Sequence, residues 1–244
     1  MAQQNFLTAL PVYNEVRHIG DVLQKVTRFS TNILVVDDGS TDGTAEVLQT
    51  FPNVRVIRHP ENRGYGAALR TAFSYAIDQG YEVLVTIDCD GQHEPHRIPE
   101  FVAACTPEVD VVSGSRYLKR FPGDSEPPPD RRRINEVITA ELNRRLGLHL
   151  TDAFCGFKAY RTEALRKLDL TENGYAMPIE FWVQAVKHGL RIIEIPVPLI
   201  YLEEERAFGG ALDQAETRLA VYRAVLERSL QRAGLADFSK TSLI

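Results

Sequence analysis

Glu82-Val83-Leu84-Val85-Thr86-Ile87-Asp88-Cys89-Asp90-Gly91-Gln92-His93-Glu94 is the stretch on which the reading of this chain turns. Residues 83–87 are apolar or β-branched throughout, as in a strand buried on both faces of a sheet, and the run stops at two aspartates one residue apart. Side chains alternate across a strand, so Asp88 and Asp90 are expected to leave the chain on the same side. Gly91 then lets the backbone turn away so that both carboxylates converge. Hard oxygen ligands of this kind suit Mg²⁺ or Mn²⁺, which keep open positions for phosphate oxygens. The competing reading of Asp-x-Asp-Gly is a polar turn after a strand, because acids and glycine are ordinary turn residues.

The rest of the chain weighs against a simple turn. Residues 6–10 read as a first strand ended by Pro11, with Pro11-Val12-Tyr13-Asn14-Glu15 as the loop beyond it. A helix is expected over 16–29, with Ile19, Val22, Leu23 and Val26 on one face. Residues 33–36 form a second buried strand that runs into Asp37-Asp38-Gly39-Ser40-Thr41-Asp42-Gly43-Thr44. Then come a helix over 44–50, a strand over 54–57 and a helix over 64–79, before the central stretch. Strands alternating with helices at this rhythm predict an open, mostly parallel α/β sheet, whose ligands bind beyond the carboxyl ends of the strands. The acid-bearing loops at Glu15, Asp37/Asp38 and Asp88/Asp90 all fall at that rim, which favours a metal or nucleotide site.

Further on, a helix over 99–104 and a strand over 109–112 lead to Ser113-Gly114-Ser115-Arg116-Tyr117. A loop over 119–130 precedes Arg131-Arg132-Arg133, which opens a helix reaching Leu146. A basic triplet is ordinarily a solvated face, but beside the active rim it could hold an anionic acceptor. Residues 152–160, between helices, carry acid, base and aromatics together. A helix over 178–188 and a strand over 192–195 follow. From 211 to 230 the apolar residues Leu212, Ala215, Leu219, Tyr222, Leu226 and Leu230 share one helical face, expected to pack on the domain or on a second subunit.

Composition bounds the rest. The chain has 244 residues with 44% hydrophobic content, enough for one large domain, and 28 basic against 33 acidic residues indicate no nucleic-acid surface. Cys89, Cys105 and Cys155 are widely spaced, which fits a reducing compartment and points to the cytoplasm. No signal peptide is expected at the N-terminus. The most apolar stretch, 190–202, is broken by Arg191, Glu194, Pro196 and Pro198, so any membrane contact, at the inner face, is expected to be peripheral.

Five segments in order then resemble family 2 inverting glycosyltransferases, in particular the dolichyl-phosphate and polyprenyl-phosphate mannose synthases. They are Pro11-Val12-Tyr13-Asn14-Glu15, Val36-Asp37-Asp38-Gly39-Ser40-Thr41-Asp42-Gly43-Thr44, Asp88-Cys89-Asp90-Gly91-Gln92-His93, Gly114-Ser115-Arg116-Tyr117 and Cys155-Gly156-Phe157-Lys158-Ala159-Tyr160. The resemblance covers residues 5–210, leaving 211–244 as an amphipathic helix and tail. It implies a GT-A type open twisted sheet with helices on both faces, a nucleoside-diphosphate sugar donor such as GDP-mannose, and Mg²⁺ or Mn²⁺. By that likeness Pro11, Tyr13, Glu15, Val36 and Asp38 surround the base and ribose. Asp88, Cys89, Asp90 and Gln92 sit at the diphosphate, with Asp88, Asp90 and Gln92 as metal ligands and Asp90 foremost, while Arg116 and Arg206 reach the phosphates. Where the family has Arg-x-Tyr-Gly-x-Ser-Lys, this chain has Arg206-Ala207-Phe208-Gly209-Gly210-Ala211-Leu212, without the hydroxyl or the lysine.

Two acceptors stay open. A polyprenyl phosphate is anionic near neutral pH and attacks unaided, whereas a soluble hydroxyl acceptor needs a base, for which Asp152 and Glu180 are the candidates. The altered segment at Arg206 favours the soluble acceptor; residues 152–160 favour the lipid phosphate. A homodimer is left open. A signalling receiver domain, also α/β with acids at strand ends, would have about half this length and no use for the other acidic loops. A non-catalytic sugar-nucleotide binder would share the fold without turnover.

Overall fold

The computed structural model describes residues 5–202 and 210–235. Among these residues seven strands form one sheet: β1 (Phe6–Val12), β2 (Ile33–Asp37), β3 (Arg55–Arg58), β4 (Val83–Thr86), β5 (Val111–Ser115), β6 (Lys158–Arg161) and β7 (Ile192–Pro196), in the order β3-β2-β1-β4-β6-β5-β7. All pairings are parallel except those of β6, which runs antiparallel to both β4 and β5. The order reverses beside β1, where β2 and β4 diverge to opposite sides. Such a point opens a crevice at the carboxyl ends of the strands.

The alternation of side chains divides the core into two layers. Leu7, Ala9, Leu34, Val36, Leu84 and Val111 face helices α3 (Tyr65–Asp78), α5 (Pro129–Leu146), α7 (Met177–Lys187) and α8 (Ala215–Ala233). Leu10, Val12, Val35, Val83, Val85 and Val112 face α1 (Ile19–Val26) and α4 (Ile98–Ala104). The short helices α2 (Thr44–Gln49) and α6 (Thr162–Leu165) complete the chain. Ala67, Ala68, Ala72 and Ala76 bring α3 close to the sheet, and Trp182 on α7 is fully buried with its indole N–H donating to Ala153 O at 2.9 Å.

Four local differences from the sequence expectations have physical causes. β1 continues through Pro11 to Val12. Ala9 O accepts Ile87 N, so Pro11, two residues on, faces the β4 side where β4 has already left the ladder. Its missing N–H therefore costs no bond. Helix α1 begins at Ile19 rather than at 16, because the preceding residues are committed to a turn. Asn14 adopts φ 55°, a left-handed conformation that asparagine tolerates. Its backbone N–H and those of Glu15 and Val16 donate to Ser40, Thr44 and Asp42, and Thr41 N donates back to Asn14 Oδ1. Helix α5 starts at Pro129, where a proline in the first turn has no bond to lose, and ends at Gly147 with φ 66°. Finally, residues 158–161 form strand β6 inside a segment expected to lie between helices.

Helix α8 lies against α5 and α7 and buries Arg218, Leu219, Tyr222, Val225, Leu226, Ser229 and Leu230. A 3₁₀ turn at Gly210–Asp213 precedes it, so the helix starts later than 211. Ion pairs rim the contact: Arg223 with Glu141, Arg145 with Glu227 and Arg228 with Glu172. The apolar face is thus covered within the chain. No helix among the described residues is long and apolar enough to cross a membrane.

The first turn of α3 is packed against residues 172–174 so closely that a Cβ on Gly66 would collide with Glu172 O and lie 2.8 Å from Met177 Cβ. In an exposed helix Gly→Ala gains about 1 kcal/mol. Here Gly66→Ala is expected to destabilise, reversing that sign, as a lowered midpoint in urea unfolding.

Candidate active site

A cleft of about 940 Å³ opens at the carboxyl ends of the strands. Because β6 is antiparallel, the loop that leads into it arrives at this rim, with Lys158 registered against Thr86 of β4 and Ser113 of β5. The antiparallel strand brings residues 152–157 beside the acid loops.

β4 ends at Thr86, so Asp88 and Asp90 stand past the strand in a turn rather than on one pleated face. The turn is held by Asp90 Oδ1, which accepts Gln92 N at 3.0 Å, and by Gly91 at φ 74°. Asp88 Oδ1 accepts the Tyr65 hydroxyl at 3.0 Å, and His93 Nε2 lies 3.4 Å from Oδ2. Beneath the carboxylate is Gly156, where a Cβ would overlap all three atoms of the Asp88 carboxyl group. Thr86 Oγ1 secures Gly156 O at 2.8 Å, and the buried Lys158 ammonium donates to Cys155 O and sits over the Trp182 ring. Burial opposes ionisation of Asp88, but the hydrogen bond and charge of His93, the Tyr65 hydroxyl and the Lys158 charge together bring its pKa below the ordinary carboxylate value. Burial and the Asp88 charge push the Tyr65 phenol well up, so it remains a donor. Burial lowers the Lys158 pKa against the pull of neighbouring anions.

A buried ion pair lies beside this carboxylate. Asp152 is 0% exposed, and its carboxylate takes Arg116 Nε at 2.7 Å and Nη2 at 2.9 Å as well as Asn135 Nδ2 at 2.8 Å. Phe154 N completes the set. Burial works against the Asp152 anion, but the Arg116 charge and these hydrogen bonds hold its pKa well below the usual range and raise that of Arg116. Glu194 on β7 accepts Thr151 N, Thr151 Oγ1 and Asp152 N, fixing the backbone from below.

Asp38 lines the cleft with its carboxylate committed to the 59–64 loop: His59 Nδ1 at 2.5 Å, Arg63 N at 3.0 Å and Gly64 N at 2.7 Å. Tyr13 is 43% exposed at the mouth. The acids of the cleft wall, Glu15, Asp38, Asp42, Asp88 and Asp90, all come from the first half of the chain. The same lining carries Arg116, Arg131 and Arg218 with Tyr117, Phe154, Tyr201 and Tyr222, and Arg17 beside Glu15. Asp88, Asp90 and Gln92 are hard oxygen donors at one turn, a set whose chemistry fits Mg²⁺ or Mn²⁺. Among the described residues no group of three or more His, Cys, Asp or Glu side chains is placed to hold a metal ion, so an ion at this turn would have two carboxylates and one amide oxygen to draw on.

The model of the family described as "Glycosyl transferase family 2" matches residues 8–169. The chain belongs to glycosyltransferase family 2. The transferase is 33% identical to an undecaprenyl-phosphate mannosyltransferase of Micrococcus luteus over 222 residues, covering 86% of this chain and 90% of that one. It is 34% identical to a polyprenol monophosphomannose synthase of Mycolicibacterium smegmatis, covering 80% and 77%, and 31% identical to a dolichyl-phosphate hexose transferase of Haloferax volcanii, covering 90% and 91%. Among solved structures, glucosyl-3-phosphoglycerate synthase of Mycobacterium tuberculosis in complex with Mn²⁺, UDP and glucosyl-3-phosphoglycerate superposes with a TM-score of 0.70 at 20% identity, covering 96% of this chain and 81% of that one. That likeness establishes the GT-A type fold.

Of the residues singled out from the sequence, Pro11, Tyr13, Glu15, Asp38, Asp88, Cys89, Asp90, Gln92 and Arg116 all line the cleft of the transferase. Val36 does not: it is fully buried in the layer facing α3. Arg206 lies outside the described residues. Neither candidate base is placed to act as one. Asp152 is outside the cleft wall with its oxygens engaged by Arg116 and Asn135, and Glu180 is buried behind it, accepting Thr171 N, Glu172 N and Arg232. Of the basic triplet only Arg131 lines the cleft, its guanidinium over Tyr201, while Arg132 pairs with Glu136 and Arg133 with Glu216. The reading from sequence gave no role to Tyr65 and His59, which act through contacts 23 and 21 residues away, or to His93, which stands in the quoted motif five residues from Asp88. The one local signal was the glycine pair Gly64 and Gly66 beside Tyr65, which marks a close backbone approach.

Gly156→Ala is expected to displace Asp88 and lower turnover about 100-fold, the scale of a 1 Å misplacement, while thermal melting shows the fold retained. Asp152→Asn leaves a half-buried guanidinium uncompensated and is expected to cost on the order of 3 kcal/mol in urea unfolding at neutral pH. Because the folded Asp152 pKa lies below the unfolded value of 3.8, that stabilisation is present above 3.8 and is lost as pH falls toward the folded value. The gap between wild type and Asp152→Asn should therefore narrow in acid.

Proposed function

We propose that the transferase moves a hexose, mannose foremost, from a nucleoside-diphosphate sugar to a polyprenyl phosphate with inversion at the anomeric carbon. The observation that carries this reading is that arginines and aromatic residues, Arg116, Arg131 and Arg218 with Tyr117, Phe154, Tyr201 and Tyr222, share one cleft with the acid loops. An acceptor that is already a phosphate needs no base, and neither Asp152 nor Glu180 is available as one. Guanidinium groups suit a phosphate. Tyr117, Phe154, Tyr201 and Tyr222 suit the apolar chain next to it. The names of the relatives from Micrococcus luteus, Mycolicibacterium smegmatis and Haloferax volcanii support the same acceptor class.

In this reading the nucleotide lies along the loops at Pro11, Tyr13, Glu15 and Asp38, with Tyr13 against the base. Asp88, Asp90 and Gln92 hold Mg²⁺ or Mn²⁺ at the diphosphate, and the ion neutralises charge on the departing group when bound. The chain's own work is alignment. Arg116, oriented by its two bonds to Asp152, faces the phosphates, and the paired carboxylate keeps that guanidinium in one direction. The acceptor phosphate oxygen attacks the anomeric carbon as the bond to the diphosphate breaks, and the cleft supplies position and fixed positive charge. Peripheral contact with a membrane follows from the acceptor, whose chain must reach the cleft from a bilayer.

The altered segment 206–212 supports the second reading, a soluble acceptor with the same donor chemistry. Incubation with labelled GDP-mannose, or a labelled UDP-hexose, and either polyprenyl phosphate in detergent or water-soluble alcohols separates the two. Label is expected in the lipid phase, dependent on Mg²⁺ or Mn²⁺ and abolished by Asp90→Ala. Label found only in the aqueous acceptors would overturn the lipid reading.

A further inference from the structure

We infer that Tyr65 is a positioning residue for the Asp88 carboxylate, and that Tyr175 anchors it by ring stacking. The inference rests on the reading that Asp88 takes part in holding a divalent ion at the diphosphate.

Tyr65 is the first residue of α3, and its hydroxyl reaches Asp88 Oδ1 across the cleft floor at 3.0 Å. The carboxylate has His93 on its other oxygen only at 3.4 Å, so the Tyr65 bond is the shorter of the two. A carboxylate that ligates a metal is oriented by the hydrogen bonds on its remaining lone pairs, and removal of such a partner typically costs 10- to 100-fold in metal affinity or activity. The Tyr65 ring is itself held: the Tyr175 ring stacks on it with centroids 5.8 Å apart and planes inclined by 15°.

The segment that carries Tyr175 is not a loose loop. Asn173 O accepts Ala67 N at 3.1 Å, and at Gly64 a Cβ would collide with Asn173 O, so the segment is pressed onto the start of α3. From behind, Glu180 accepts Thr171 N at 2.8 Å and Glu172 N at 2.7 Å, and Arg232 of α8 binds the other Glu180 oxygen at 2.7 Å. Arg228 of α8 holds Glu172 at 2.6 Å. A continuous set of contacts thus runs from the C-terminal helix to the carboxylate at the end of β4. It gives Glu180, buried and remote from the cleft, a structural use.

The test measures Mn²⁺ binding to the full chain in the presence of UDP and, separately, GDP, by loss of the free-ion electron paramagnetic resonance signal. Wild type, Tyr65→Phe and Tyr175→Ala are compared, with thermal melts in parallel. Tyr65→Phe keeps the stacked ring and removes only the hydroxyl. It is expected to raise the Mn²⁺ dissociation constant about tenfold with little change in melting temperature, and saturating Mn²⁺ should restore most of kcat. Tyr175→Ala should shift the same constant in the same direction by less. A Tyr65→Phe protein that binds Mn²⁺ as wild type does would overturn the inference and leave the metal reading standing. Wild type that binds no Mn²⁺ with either nucleotide, or Asp90→Ala that binds it equally well, would instead remove the metal reading on which the inference rests. If Tyr65→Phe does not fold, Tyr175→Ala decides, and an unshifted constant there counts against the inference.

Discussion

A carboxylate held half-buried on the floor of a cleft must be compensated where it stands, and Asp88 imposes that constraint on the groups around it. Burial disfavours its charge, so the fold surrounds it with a phenol, an imidazole and, one layer below, an ammonium. The carboxylate also needs room, and the backbone beneath it must lack a side chain, which is the position Gly156 fills. Lys158 is buried in its turn and is steadied by Cys155 O and the face of Trp182. The core is therefore not independent of the site. Trp182, fully buried on α7, touches the group that compensates the charge at the end of β4.

The pair of Asp152 and Arg116 solves the same problem differently. Two opposite charges with matched planar geometry satisfy each other, and Asn135 and Phe154 N take up the remaining lone pairs. One charge of that pair then faces the cleft while the other is hidden behind it. The result is fixed positive charge on the cleft lining, where it can act on an anion without reorganising. The acids of the cleft follow β1, β2 and β4 while Arg116 follows β5, and the sheet joins these two sets through β6, which runs antiparallel to both its neighbours.

Much of this was legible in the residues. The alternation of buried strands with amphipathic helices, the acids placed just after strands, and the glycine after Asp90 all lie within short spans. Local patterns of that kind specify a parallel α/β sheet with its acids at one rim, because period and turn chemistry act over a few residues. The cleft-lining roles of Pro11, Tyr13, Glu15, Asp88, Asp90, Gln92 and Arg116 follow from the same loops, and so does the family. Pro11 was misread as a strand end because its tolerance depends on where the neighbouring strand stops. Strand β6 was missed because Lys158-Ala159-Tyr160-Arg161 has no β-branched residue and a charge at each end, unlike the equally short β4.

What the sequence by itself determined is therefore the alternation of strands and helices through the first half of the chain, the rim at which the acids gather and the family of the enzyme. Only the tertiary structure decided which charges are paired, and the reason is distance along the chain. Arg116 meets Asp152 across 36 residues, Tyr65 meets Asp88 across 23, and Asp88 rests on Gly156 from 68 residues away. A carboxylate is a base, a ligand or a strut according to the partners that reach it. For Asp152 and Glu180 those partners close off the solvent and the cleft, and no local pattern in the chain records that they do.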